Sequence, residues 1–243
     1  DTNNPDVWFS LRVENNKAVI NMDTSGGSLH RRGYRKEMVS APMQETLASA
    51  IIKFSNWNGN TPLYDPMCGS GTILMEALMQ YCNMPSGFLR KNFGFEHLPE
   101  FDSELWLKVK KEADEKIREL PKNTISGSDI SHKAISIAKN NSKNLKYARN
   151  ITLKKLDFNK IDELSNHTIV CNPPYGIRLK KDSDLIQFYK NLGDFLKQKC
   201  KNSTAYIYFG NRIFLKSIGL RPSWKKVLKN GKLDGRLAKF ELY

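Results

Sequence analysis

From residue 61 onward, short apolar runs of strand type alternate with amphipathic helical patterns, and that alternation constrains the fold more than any other feature. "TPLYD" precedes the helical "GTILMEALMQY", and "NTISGSD" precedes "SHKAISIAKNNSKNLKY". "NITLKKLDF" and "HTIVCN" read as strands, "SDLIQFYKNLGDFLKQKC" as a helix, "STAYIYFG" as a strand and "NRIFLKSIG" as a short helix. Parallel strands need a crossover, usually a helix, so repeated βα units predict a largely parallel sheet covered on both faces. The last twenty residues, "WKKVLKNGKLDGRLAKFELY", read as a hairpin through Asn230-Gly231 that adds an antiparallel strand at or near one edge. Upstream, "VWFSLRVENNKAVINMD" (Val7 to Asp23) alternates apolar and polar around "ENNK", the signature of another hairpin. "SGGSLHRRGYRK" reads as a linker, and "APMQETLASAIIKFSNW" as a helix with Pro42 in its first turn and Leu47, Ala50, Ile51 and Phe54 on one face. Residues 85–120 interrupt the rhythm as an insertion that carries one charged helix, "FDSELWLKVKKEADEKIREL".

With 243 residues and 40% hydrophobic content, the chain can build one sizeable α/β domain plus a small extra element. No apolar run reaches eighteen residues, so no membrane span is expected. The start, "DTNNPDVWF", lacks the architecture of a signal peptide and an initiator Met, which marks the chain as a piece of a longer protein. Cys68, Cys82, Cys171 and Cys200 are scattered, as suits a reducing, cytoplasmic compartment. His30, His97, His132 and His167 show no ligand spacing, and no metal site is expected. A net charge of +14 points to a polyanionic partner, nucleic acid first, against the blander alternative of a lysine-decorated surface. The basic stretch His30 to Lys36 is either a contact for RNA phosphates or a solvated linker.

"LYDPMCGSGT" puts Asp65 at a strand's end, then Gly69 and Gly71, then a helix beginning near Thr72. Open α/β sheets bind ligands at the carboxyl ends of their strands, and glycines let the backbone approach a ligand closely. A phosphate-cradling loop would carry Lys before the Ser/Thr, and a dinucleotide loop a third glycine; neither is present. Asp-x-x-x-Gly-x-Gly suits instead a ligand with an ammonium group, which Asp65 pairs; the alternative is a tight turn with glycine for steric reasons alone. Asp129 and Asp157 also end strands, where a carboxylate accepts ribose hydroxyls, and Asp157 with Phe158 is placed to read an adenine. For any one of these aspartates a helix cap is the competing explanation. Ammonium, ribose and adenine together describe S-adenosylmethionine. The distance in sequence from Asp65 to Asp129 is about three times the ~20 residues of a compact βαβ unit, which the insertion explains if it loops out.

"IVCNPPYG" ends a strand in a stiff turn at the same edge. Pro173 and Pro174 have no N–H, so the turn presents acceptors: two carbonyls and the Asn172 side-chain oxygen. Such a cluster matches the two hydrogens of an exocyclic amine on a nucleobase. Holding both hydrogens favours a tetrahedral nitrogen whose lone pair is free to attack a sulfonium methyl about 3 Å away. Tyr175 is placed to stack on a base that has left its helix. A Pro-rich turn with a packed tyrosine is the bland alternative.

In order, "DPMCGSGT", "GSD", "LDF" and "NPPYG" resemble the motifs of class I S-adenosylmethionine-dependent amino-methyltransferases. Together with "LHRRGYR", "NPPYGIRL" and "KNGKLDG", they resemble the bacterial 23S rRNA guanine-N2-methyltransferases, which join an RNA-binding THUMP domain to a catalytic domain. The resemblance covers nearly the whole chain. It implies a Rossmann-like α/β fold: a seven-stranded, mostly parallel sheet with its last strand antiparallel, helices on both faces, and a small N-terminal β-hairpin. Residues 1–36 would be the remnant of the THUMP-type domain and a basic linker, and residues 37–243 the methyltransferase domain. Asp65, Pro66, Cys68, Gly69, Gly71, Thr72, Asp129, Ile130, Asp157 and Phe158 form the implied cofactor set, with Cys68 read as a small loop-filling residue. Asn172, Pro173, Pro174 and Tyr175 form the implied catalytic set, and Glu76 carries no assigned role. The implied activity is methyl transfer to guanine N2 in 23S rRNA by a cytoplasmic monomer, without metal. An adenine-N6 methyltransferase and a non-catalytic RNA-binding module are the competing possibilities.

Overall fold

The computed structural model describes residues 5–37, 43–175, 182–231 and 233–243. β1 (Trp8–Glu14) and β2 (Lys17–Asp23) form a hairpin by themselves. They are followed by α1 (Glu45–Ser55), β3 (Leu63–Asp65), α2 (Thr72–Tyr81), α3 (Ser103–Glu115), β4 (Ile125–Asp129), α4 (His132–Ser142) and β5 (Thr152–Lys155). β6 (Thr168–Cys171), α5 (Asp182–Lys199), β7 (Ser203–Phe209), β8 (Trp224–Val227) and β9 (Arg236–Leu242) complete the order. The seven strands from β3 onward form one sheet in the order β5-β4-β3-β6-β7-β9-β8. Only β9 runs against its neighbours, pairing antiparallel with β7 and with β8. The α/β architecture with a reversed last strand and a separate hairpin is therefore the one the motifs imply.

Alternation along the strands feeds two cores, as the two-residue period of a strand requires. Val170, Tyr206, Tyr208 and Leu237 face a cluster with Ile51 of α1, Leu74 and Leu78 of α2 and Ile135 of α4. Their neighbours Ile169, Cys171, Ile207, Phe209 and Ala238 face Leu185, Tyr189, Leu192 and Phe195 of α5 on the other side. β3 is the centre of the doubly wound order: the chain steps outward from it through β4 to β5, then returns to its other side with β6 and β7. A crevice at that switch point is where such sheets take their ligands.

Three segments depart from expectation. "NRIFLKSIG" forms only a 3-10 turn at Arg212–Leu215, because Phe214 and Ile218 bury onto α5 and the eight residues before the left-handed Gly219 leave little room for an α-helix. The insertion helix α3 is shorter than its charged pattern and buries no residue. Phe93, Phe95, Phe101 and Trp106 instead form an aromatic cluster beside it. Pro42 lies outside the described residues.

The third departure is the basic stretch, which is not a solvated linker where it meets α2. Tyr34 is 1% exposed and donates its phenol to Glu76 Oε1 at 3.0 Å. Arg32 Nε lies 3.4 Å from the same carboxylate. Arg35 Nε lies 3.1 Å from Glu45 Oε1, an ion-pair contact out of line with its N–H. Glu76, unassigned in sequence, is thus the anchor of this strap, and burial pushes its carboxyl above the usual range.

The β1–β2 hairpin is tied to the insertion. The Arg90 guanidinium donates to the Ser25, Gly27 and Ser28 carbonyls, and Phe95 N–H to Thr24 O at 2.9 Å. Asn15 and Asn16 take positive φ, as a tight two-residue turn between twisted strands needs. One hairpin face pairs Phe9 with Met22, Leu11 with Ile20 and Val13 with Ala18, all of them exposed.

Candidate active site

β3 and β4 end in Asp65 and Asp129, and β5 and β6 lead directly into Asp157 and Asn172; the four strands are consecutive neighbours in the sheet, all parallel. The four residues therefore lie along one edge. Asp65 is level with Gly127, and Asp129 with Lys155. Tyr64 is level with Ile169, so Asp65 sits deeper along the strand direction than Asn172.

Asp65 is 1% exposed and accepts one hydrogen bond, from Met67 N–H to Oδ1 at 3.0 Å. Burial pushes its carboxyl well above the usual carboxylate range, and the nearby Asp129 charge adds to the rise. Among the described residues no cation pairs with it. A buried acid in this state is stabilised in its ionised form by an incoming positive charge. Pro66, also buried, leads into the turn, where Cys68 N–H donates to Ser128 O at 2.9 Å and Gly71 N–H to Cys68 O at 2.8 Å. Cys68 itself is buried, and burial pushes its thiol well up, so it fills space and is inert as a nucleophile.

Gly69 and Gly71 have φ of 53° and 82°, in the left-handed region that favours glycine. They differ in surroundings. A Cβ on Gly69 would meet nothing within 4 Å, whereas one on Gly71 would meet Ala138 Cβ at 3.2 Å and Met75 Cε at 3.3 Å. Gly71 lets the loop close on α4, while Gly69 leaves an open face toward the strand edge.

Asp129 orders this loop directly. Its Oδ2 accepts from Gly69 N–H at 2.9 Å and its Oδ1 from Ser131 N–H at 2.8 Å. The carboxylate is thus a loop fastener, with one lone pair on each oxygen left over for a ligand. Ile130, next in the chain, is 66% exposed at the strand tip. Asp157 Oδ1 caps the 3-10 turn Phe158–Lys160 through Asn159 N–H at 3.0 Å and Asn159 Nδ2 at 2.9 Å, while Oδ2 has no donor among the described residues. The Phe158 ring is core, 5.6 Å from the rings of both Phe188 and Phe195. Its ring is therefore not part of the site surface, and what Phe158 can offer a ligand is backbone.

Across the switch point, Asn172 Oδ1 is buried and has no hydrogen-bond donor among the described residues. An orphaned buried acceptor costs about 1–3 kcal/mol, which a ligand N–H would recover. One of the two proline carbonyls is already taken: the Tyr189 phenol donates to Pro174 O at 3.2 Å. Burial raises the Tyr189 pKa and keeps that proton in place. Pro173 O has no donor among the described residues. The Tyr175 ring lies flat on Gly210, where a Cβ would fall 2.4 Å from the ring.

Several residues that shape the site are assigned no site role from the sequence. Arg35 Nη2 donates to Thr72 Oγ1 at 3.0 Å and to Met43 O at 2.8 Å, holding the first residue of α2 from behind. Asn141 of α4, 1% exposed, accepts from Lys36 and Glu37 N–H at 2.9 and 3.1 Å and donates to Ser70 O at 3.4 Å. The glycine loop is therefore braced by the strap at two points. A tyrosine between three arginines was the one hint in the sequence that this stretch turns inward. Among the described residues no group of three or more His, Cys, Asp or Glu side chains could hold a metal ion, and no helix is long and apolar enough to cross a membrane.

The edge thus offers a buried carboxyl with no cation partner among the described residues, an open glycine face, an exposed apolar side chain, two half-free carboxylates and an acceptor without a donor among the described residues. The chain matches the family described as "RMKL-like, methyltransferase domain" (UPF0020) over residues 32–239. It is 38% identical, over all of its length and 64% of the relative's, to "Putative RNA methyltransferase slr0064" of Synechocystis. It is 36% identical over 96% of its length to the ribosomal RNA large subunit methyltransferase K/L of Photobacterium profundum, of which it spans 34%. The crystal structure of SMU.472 complexed with SAH has a TM-score of 0.87 and 32% identity, covering 97% of this chain and 61% of that one. A Listeria monocytogenes protein described as a predicted N6-adenine-specific DNA methylase has a TM-score of 0.83 and 30% identity, covering 97% of this chain and 60% of that one. By the family match over residues 32–239, the chain belongs to the RMKL-like methyltransferase domain family.

Proposed function

We propose that this chain transfers a methyl group from S-adenosylmethionine to the exocyclic N2 amine of a guanine in 23S rRNA. The observation that carries the reading is the buried Asn172 Oδ1, which has no hydrogen-bond partner among the described residues, across the switch point from an Asp65 that pairs with no cation among them. The residues fit the cofactor by chemistry. Asp65 takes the ammonium, Gly69 and Gly71 give the backbone close access, Asp129 accepts from the ribose, Ile130 covers the adenine, and Asp157 Oδ2 accepts from its amine. Pro66, Cys68 and Thr72 keep the loop in shape, and Phe158 lends its backbone. S-adenosylmethionine, when bound, supplies an electrophilic methyl on a sulfonium.

The other half of the edge prepares the nucleophile. Asn172 Oδ1 and Pro173 O accept the two amine hydrogens and so favour the nitrogen geometry in which its lone pair is available. Tyr175, backed by Gly210, stacks on the extruded base. The rRNA assignment rests on the relative named as a large subunit rRNA methyltransferase and on the charge of +14. In this reading residues 1–36 are the end of a THUMP-type RNA-binding domain and its linker, residues 37–243 the catalytic domain with residues 85–120 inserted, and the protein is a cytoplasmic monomer.

Incubation with methyl-labelled cofactor and either 23S rRNA or duplex DNA, followed by nucleoside analysis, tests the substrate. N2-methylguanosine from rRNA is expected. The Listeria neighbour supports a second reading, adenine N6, because the same two acceptors serve either amine. N6-methyladenosine as the sole product would establish it. Absence of S-adenosylhomocysteine binding at millimolar concentration in calorimetry would leave only a non-catalytic RNA-binding module.

A further inference from the structure

Directly after β7, at the same sheet edge as the Asn172 turn, the Arg212–Leu215 turn presents an apolar side chain to solvent. Cys171, the last residue of β6, is level with Ile207; β7 runs two residues further to Phe209, and the turn begins three residues beyond that. Ile213 is 66% exposed, yet its backbone is fixed. Asn211 Oδ1 accepts from Ile213 N–H at 3.1 Å. Phe214, the next residue, is buried and stacks on Tyr189 with ring centroids 4.9 Å apart and planes 6° from parallel. Tyr189 in turn bonds Pro174 O. A continuous chain of contacts, Phe214 to Tyr189 to Pro174, thus locks the exposed isoleucine to the turn that holds the base.

The ground around Ile213 is cationic. The Arg212 side chain is 71% exposed, and Lys229 is exposed on the loop between β8 and β9. Arg236 grips Asp234 with two nitrogens, so Arg212, 4.0 Å from that carboxylate, meets an anion already neutralised. Those three cations together hold the Asp234 carboxyl below the usual range. One acid among three bases leaves a net positive rim.

Resting on the proposed base methylation, we infer that the Arg212–Ile213 turn is the element that enters the RNA helix as the target base leaves it, with Ile213 filling the gap and Arg212 and Lys229 seating the flanking phosphates. An extruded base leaves its neighbours unstacked, and proteins that open base steps insert apolar side chains there. An isoleucine on a mobile loop would yield to the closing stack; one braced through Phe214 and Tyr189 resists it.

The test uses two RNAs: a 23S rRNA helix containing the guanine that the wild-type protein methylates, and the isolated strand with the same guanine. Ile213→Ala is expected to lower the ratio of kcat/KM on the paired RNA to that on the isolated strand by about tenfold, because only paired substrate must be unstacked. Ile213→Met restores the ratio, and S-adenosylhomocysteine affinity stays as in the wild type. Arg212→Ala is expected to reduce the slope of log affinity against log salt by about one. An unchanged ratio, or equal loss on both RNAs, overturns the wedge while leaving methylation in place. Failure of the wild-type protein to methylate any guanine in either RNA overturns the proposed function and the wedge with it.

Discussion

The two halves of the sheet edge are finished to different degrees. On the β3–β4 side nearly every polar group of the loop has a partner: Gly69 on Asp129, Cys68 on Ser128, Ser70 on Asn141, Thr72 on Arg35. On the β6 side Asn172 Oδ1 has no partner among the described residues. The first half is a mould, shaped in advance by the protein's own bonds. In the proposed reaction the second half is the reagent, its acceptor reserved for the amine of the second substrate. Binding energy built into a mould lowers Kd; an acceptor reserved for the reacting group acts on turnover.

That difference is broken most directly at the reagent. Asn172→Ala is expected to lower turnover at saturating cofactor by about 100- to 1000-fold, the range for loss of one preorganised group. S-adenosylhomocysteine affinity, read by calorimetry, should stay close to wild type, and parallel loss of both would make Asn172 a structural residue.

The two glycines sharpen the contrast next. Gly71→Ala combines left-handed strain of about 1–2 kcal/mol with overpacking against Ala138 of about 1–3 kcal/mol, and its main effect is a lower unfolding midpoint in urea. Gly69→Ala carries the strain alone, so its unfolding loss is smaller and its cost falls on the open face, as weaker S-adenosylhomocysteine binding in calorimetry.

A smaller effect is expected behind the mould. Arg35→Lys keeps a charge for Glu45 but cannot span Glu45, Thr72 and Met43 O with one point donor. Cofactor KM should rise by about threefold to tenfold with kcat unchanged, on the order of one bond to a charged group. A fall in kcat at saturating cofactor would show that the strap also shapes the base half.

The smallest effect is a pH dependence. The Asp65 carboxyl sits above the ordinary aspartate value of 3.8 in the free protein, first because it is buried. An ammonium ligand binds its ionised form, so affinity weakens as pH falls through that raised value. The same group makes the free protein lose stability as pH rises above 3.8, since the folded state holds the proton longer than the unfolded chain. Asp65→Asn should remove both slopes, measured by calorimetry and by urea unfolding across pH.

The sequence made the sheet legible because alternating apolar runs and βα spacing are local properties, and the four strand-end residues followed from them. What stayed hidden depends on distant partners. The stretch with Arg32 and Arg35 read as either an RNA contact or a solvated linker, because its partners Glu76 and Glu45 are acids that no apolar pattern marks as buried. Phe158 read as part of the site because it follows Asp157, while α5, which buries its ring, begins 24 residues later. The role of Tyr189, in the middle of an ordinary amphipathic helix, shows only when its phenol is seen on Pro174 O.

The inward-turned strap bears on how such a catalytic unit is cut out for study. A fragment starting at residue 37 would lack the aromatic plug Tyr34 and strand Glu76 and Glu45 as lone anions in an apolar interior. Its glycine turn would lose Arg35 as its outer brace and keep only the bonds from Ser128, Asp129 and Asn141. The smallest excisable form of this domain therefore begins upstream of Arg32, inside the stretch that looks most like disposable tether.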